Sequence, residues 1–219
     1  MKLEKGERKM RKPMWTSWFD NLREDEVLVM LAIARKKYND KLKSEEVVFR
    51  EIVDGKIWGR KFKKLLTLVR HYPGRAKPED YSIYITYNPR SLVKALRLLR
   101  IKMLDWETNI ISSGDLSQYL MHLKKLDREF ISCLQKPEAR SRKWHFLIDV
   151  DNLDKLDLVR KQIEKLGLEV CAESKTKNGM HILVKPFNLQ LWKPIEDVEL
   201  KRDGLFHIYH YERGNDKNL

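Results

Sequence analysis

Asp149 and Asp151 stand two apart at the end of the apolar run Phe146-Leu147-Ile148. Side chains alternate along a strand, so both carboxylates point to one face. Two carboxylates crowded together repel and raise each other's pKa unless a cation lies between them. Mg²⁺ or Mn²⁺ answers that need, because hard cations take oxygen ligands. The same residues also fit a polar Asp-Val-Asp-Asn turn whose aspartate caps the next helix, and spacing alone leaves both readings open.

Lys175, Lys177 and the Asn178-Gly179 pair follow between two strand-like stretches, and His181 stands near the start of the second. Lysine is a point-charge donor to phosphate. Glycine admits close backbone approach or a positive φ. An imidazole at that place can hold a triphosphate. An exposed hairpin turn also ordinarily contains Lys, Asn and Gly, and a lone histidine is tolerated on many strands.

The elements that must position these groups read as an α+β chain. Residues 16–72 look helical: Thr16 or Ser17 caps a first helix, residues 24–38 run from acids to bases as a helix dipole favours, and residues 44–55 add another apolar stretch. A helix from Trp58 to about His71 carries a basic face of Lys61, Lys63, Lys64 and Arg70. Pro73-Gly74 and Pro78 break the chain, and the period changes to two over residues 81–87, a strand. The turn Asn88-Pro89-Arg90-Ser91 leads into a helix over 91–104 with Ser91 as N-cap; such a turn can offer N–H groups to phosphate, with Asn88 and Arg90 beside it. Asp115 caps a long amphipathic helix through about Gln135, and Arg140 and Arg142 lie in a basic linker.

From Trp144 the order is β-α-β-β-(α)-β-β: strands over 145–151, 168–174, 180–185, 198–201 and 205–211, with a helix over 154–166 ended by Gly167. This predicts an antiparallel sheet with flanking helices, close to an RNA-recognition-motif (RRM)-like fold. The chain divides into a basic helical N-terminal region, 1–78, and an α/β domain, 79–219, whose RRM-like half is 144–211.

Composition narrows the partners. The 219 residues are 42% hydrophobic, which excludes a disordered type, and 45 Lys+Arg against 32 Asp+Glu leave +13, which attracts polyanions such as nucleic acid. Cys133 and Cys171 form no CxxC or Cys/His cluster, so free thiols and no structural zinc are expected. No secretory signal or membrane-length apolar run is visible, so a soluble cytoplasmic protein without membrane contact is expected, in the host cytoplasm for a viral protein.

The string Phe-Leu-Ile-Asp-Val-Asp, followed by Gly179-Met180-His181, resembles the archaeo-eukaryotic primase superfamily of primase-polymerases, including small viral or plasmid-type members. The resemblance covers mainly residues 144–211. It implies that Asp149 and Asp151 bind Mg²⁺ or Mn²⁺ and that His181 contacts the phosphates of the incoming nucleotide. The family's third motif, an apolar residue then Asp, implies a further metal ligand, matched here by Asp203 with Asp197 as substitute. Lys175, Lys177 and Gly179 would then belong to the nucleotide site. Asn88, Arg90, Arg140 and Arg142 would carry the template. The resemblance implies template-directed nucleotide addition from nucleoside triphosphates in DNA replication, beside a separate replicative helicase. Two other classes remain open: a non-catalytic RRM-like module stacking bases on Phe206, Tyr209 and Tyr211, and a metal-dependent nuclease or other phosphotransferase.

Overall fold

The computed structural model describes residues 14–70 and 80–212. The basic arm 1–13, the Pro73-Gly74 and Pro78 break and the tail 214–219 lie outside the described residues. The chain is α+β, with its strands in two antiparallel sheets.

The first sheet is built on β1 (Glu26–Arg35), β2 (Glu46–Val53), β3 (Asp80–Thr86) and β9 (Leu205–Glu212), in the order β2-β1-β3-β9; the short β4 (Arg90–Ser91) also pairs with β1. The expected helices over 24–38 and 44–55 are therefore strands over Glu26–Arg35 and Glu46–Val53, with a single 3-10 turn at Lys36–Tyr38 after the first. β1 is buried on both faces. Leu28, Met30, Ala32 and Ala34 enter a core with Leu65 and Val69 of α1 (Trp58–Arg70). Val27, Val29, Leu31 and Ile33 enter a second core against Ala95 and Leu99 of α2 (Leu92–Ser113). A strand covered on both sides has no polar face, so its period-two signal vanishes and an apolar run remains that periodicity cannot separate from a helix. β2 completes the correction, pairing antiparallel with β1 from Val53 against Leu28 to Glu46 against Arg35. Strands from both sides of the expected boundary at 78/79 thus share one sheet.

Ser91 caps α2, its Oγ accepting from the Lys94 amide at 3.3 Å. The helix ends at Gly114, where φ is +69°. The expected single helix from Asp115 is two, α3 (Leu116–Leu123) and α4 (Leu126–Gln135). The break lets α4 lay Cys133 and Leu134 into the core beneath β1 while α3 rests on α2 and α4.

The second sheet has the order β6-β7-β5-β8, from β5 (Phe146–Val150), β6 (Val170–Lys175), β7 (Met180–Val184) and β8 (Val198–Lys201). Its outer face packs Phe146, Ile148, Ile182 and Val184 on Val159 and Ile163 of α5 (Leu156–Lys165). Leu147 and Leu183, on the other face, join the core of the first sheet beside Ile83 and Phe206. β9, read from the sequence as a further strand of this sheet, crosses instead to the first and pairs with β3 from Thr86↔Leu205 to Asp80↔Glu212. Among the described residues no helix is long and apolar enough to cross a membrane.

Candidate active site between the two sheets

Asp149 leaves β5 on the face that looks toward the first sheet, opposite His181 of β7 and Glu199 of β8 in the strand registers. Alternation on each strand produces this: Ile148, Ile182 and Leu200 go to the helical side, and the polar residues between them go to the other. Asp151 follows two residues later and lines the same cleft, of about 540 Å³, with Asp149, His181, Glu199 and Lys201. The first sheet contributes Ser82 and Tyr84. The two aspartates and the histidine therefore share one cavity.

Asp149 is tightly engaged. His181 Nε2 lies 3.3 Å from Oδ1, and Lys201 Nζ lies 2.6 Å from Oδ2. Burial alone would raise the Asp149 pKa, but these hydrogen bonds and the adjacent positive charge hold it at about 2. Lys201 also reaches Glu199 Oε2 at 2.8 Å. Burial pushes the ammonium pKa down, yet the two carboxylates hold it above the ordinary lysine value. The orientation of His181 is fixed from behind: its Nδ1 accepts the His207 amide at 3.1 Å. The ring proton accordingly sits on Nε2, facing Asp149.

Gly179 is required by its surroundings. A Cβ there would lie 2.0 Å from the Val150 carbonyl oxygen and 3.2 Å from the Asp151 Cα. The hairpin between β6 and β7 thus presses its turn against the backbone joining the two aspartates. Thr176 closes that turn, its amide donating to the Gly179 carbonyl and its Oγ1 accepting the Gly179 amide, both at 2.9 Å. This is the close-approach role for glycine, and the space it creates is filled by β5.

The other end of the cleft is cationic. Lys177 pairs with Asp80, and its Nζ lies 4.2 Å from the centroid of the Tyr38 ring. Lys37 lies 4.7 Å from the same ring, and Arg35 lines the cleft beside it.

Other residues singled out in the sequence lie elsewhere. Asp203 gives both oxygens to Arg90, at 2.8 and 2.9 Å, and does not line the cleft. Arg90 is 1% exposed and Asn88 fully buried, its amide holding the Trp144 and His145 backbone. Neither presents itself to a phosphate; together they bolt the turn after β3 to the start of β5 and the turn after β8. Arg142 is bound to buried Glu26, with Nη2 at 2.8 Å from Oε2, and lies 4.7 Å from the Trp144 ring centroid. Arg140 donates to the Arg202 carbonyl at 3.2 Å. Asp197 adopts φ +59° in the turn before β8, and its carbonyl accepts the Asp151 amide at 3.0 Å. Lys175 pairs in register with Met180, whose side chain packs in the helical core, so Lys175 leaves the strand away from the cleft. On α1, Lys61 and Lys64 both pair with Glu51.

Glu199 and Lys201 line the same cleft and are not among the residues that the sequence singles out. Their signal was the alternation Val198-Glu199-Leu200-Lys201, two charges on one face of a strand, but only pairing of β8 with β5 sets them beside Asp149. Of the four carboxylates that line the cleft, Asp149, Asp151 and Glu199 stand at this end and Asp80 at the other; oxygens of this kind are the ligands that a hard cation takes. The Lys201 ammonium between Asp149 and Glu199 marks that spot as one that favours positive charge. Among the described residues no three His, Cys, Asp or Glu side chains are already gathered as a metal cage. The residues that could hold a metal here are Asp149, Asp151 and Glu199, and Lys201 stands between two of them.

The chain matches no protein-family model, no curated protein and no solved structure.

Proposed function

We propose that the protein is a divalent-metal-dependent nucleotidyltransferase of the primase-polymerase type, adding nucleotides from nucleoside triphosphates on a nucleic-acid template during DNA replication. The observation that carries this reading is the convergence of Asp149, Asp151 and His181 on one cleft between two sheets. Three further features support it. β7 lies between β5 and β6, which α5 connects, as in a split βαβ unit, consistent with an RRM-like catalytic half. The cleft is of a size to take a nucleotide. The net charge of +13 suits a polyanionic template, whose binding should weaken steeply with salt.

A metal ion held by Asp149, Asp151 and Glu199 would supply Lewis-acid activation of the attacking hydroxyl and stabilisation of the leaving pyrophosphate. The chain's own groups have separate tasks. His181 keeps an N–H aimed at the acidic end of the cleft because its other nitrogen is occupied by the His207 amide. Lys177, Lys37 and Arg35 give the opposite end the positive charge on which a triphosphate settles.

The non-catalytic module is less well supported. Phe206 is 2% exposed, Tyr209 packs edge-on against Phe62, and Tyr211 stacks on Tyr81, so these rings serve the core rather than a base-stacking platform. The test is incorporation of labelled nucleotide on a primed template with Mg²⁺ or Mn²⁺. Asp149→Ala with Asp151→Ala should reduce incorporation to background and leave nucleic-acid affinity within about twofold. Incorporation that survives the double change, or a wild-type protein that binds template but incorporates nothing, contradicts the assignment.

A further inference from the structure

Lys201 is placed where a metal ion would be expected. Its ammonium bridges a carboxylate of β5 and one of β8, at 2.6 and 2.8 Å. With His181 on the remaining oxygen of Asp149, each oxygen of that carboxylate already has a donor from the chain, and Lys201 is the fixed charge that a second cation on this side would meet. The lysine is not locked in. Its side chain is 38% exposed and Glu199 is 64% exposed, so the four-carbon stem can swing into the cleft without opening the core. The same pattern recurs at the other end, where Asp80 is paired with Lys177. Asp80 and Asp149 thus each already hold a cation supplied by the chain.

We infer that Lys201 is a resident counter-cation which a divalent metal must displace, and that its ammonium then passes from the carboxylates to the phosphates of the nucleotide. This rests on the metal-dependent reading above and adds to it a mechanism of charge exchange. Carboxylates stripped of a partner would repel each other and loosen the strand ends they stand on; Lys201 offsets that repulsion and holds the two carboxylates together, at 2.6 and 2.8 Å. A doubly charged ion attracts the same oxygens about twice as strongly as an ammonium at equal distance. The exchange becomes favourable when the displaced ammonium finds phosphate oxygens instead of water. Metal alone should then bind weakly, triphosphate alone should bind weakly, and each should strengthen the other. A lysine serving only as a phosphate ligand would leave the affinity for metal alone untouched.

The test measures free Mn²⁺ by electron paramagnetic resonance, with and without a non-hydrolysable nucleoside triphosphate, for wild type, Lys201→Met and Lys201→Arg. Loss of the competing charge should tighten Mn²⁺ binding to Lys201→Met roughly tenfold in the absence of nucleotide and shrink the cooperativity with triphosphate. Lys201→Arg should stay close to wild type. A second readout needs no variant: acylation of Lys201 in the wild-type protein, followed by peptide mass mapping, should accelerate several-fold when Mn²⁺ is added. Equal Mn²⁺ affinity in wild type and Lys201→Met, or an acylation rate indifferent to bound Mn²⁺, overturns the inference and leaves the metal reading standing. Failure of all three proteins to bind Mn²⁺, even with triphosphate, overturns the metal reading itself.

Discussion

His207 shows how a single residue can set a property of the site while lying outside it. It is 3% exposed, its Nδ1 stands 2.9 Å from Ser174 Oγ, and its amide holds His181. Burial, with the neighbouring His181 and His210 rings adding to it, depresses its pKa from 6.5 to about 4. The unfolded chain therefore binds a proton in this interval that the folded chain refuses. Stability should fall as pH drops from about 6.5 to about 4, by up to about 3 kcal/mol from this group, with no further loss from it below that. His145, buried and likewise depressed, acts in the same direction. Denaturant unfolding between pH 4 and 7 should show a shallower dependence for His207→Asn than for wild type; parallel curves would contradict the assignment. At this scale the sequence was informative about Asp149, Asp151, Gly179 and His181, whose types and spacing are local. It was silent about His207, Glu199 and Lys201, because their meaning comes from partners far along the chain. Asp203 was misjudged for the same reason: an acid in a turn carries no mark that a buried arginine from β4 will take both its oxygens.

Among the elements, the hairpin of β6 and β7 is the most exacting, because its turn lies against the end of β5. A methyl group on Gly179 would collide with the Val150 carbonyl, and its three nearest contacts are all backbone, which cannot rotate aside. Gly179→Ala should cost about 2–3 kcal/mol and displace Asp151, lowering incorporation along with the melting temperature. Gly59→Ala, in α1 with nothing within 4 Å of its Cβ, is the control and should gain up to about 1 kcal/mol. Equal behaviour of the two variants would contradict the packing. Elements with local marks were legible in the sequence: β3 and β8 alternate, β5 and β7 are short apolar runs bounded by the aspartates and by Gly179 and Pro186, and α2 and α3 begin at their capping Ser91 and Asp115. β1 was not, since Val27 to Ala34 is buried on both sides and offers no polar face to count from. The helix dipole pattern over 24–38 misled in particular. Glu26, at the head of the strand, instead accepts from Arg142 and Ser141, and those hydrogen bonds hold its pKa below the ordinary value against burial, which would raise it.

At the scale of the whole molecule, the site exists because two sheets meet. β9 links them, pairing with β3 in one sheet while its His207 amide props a histidine of the other. The sequence carried the α+β class and the run of elements from β5 to β8, but not the crossing of β9, since one strand pattern serves either sheet. The strong positive charge fits a nucleic-acid partner, and the cleft is cationic at one end and acidic at the other, with the acidic end occupied by the chain's own ammonium. The most direct measurement is a crystal soaked with Mn²⁺ and a non-hydrolysable nucleoside triphosphate, with data collected at the manganese absorption edge. The account predicts an anomalous peak within bonding distance of Asp149, Asp151 and Glu199, with Lys201 turned away from the carboxylates and the triphosphate running toward Lys177. Lys201 still bridging Asp149 and Glu199 with no peak between them, or manganese and triphosphate bound together elsewhere, would contradict it.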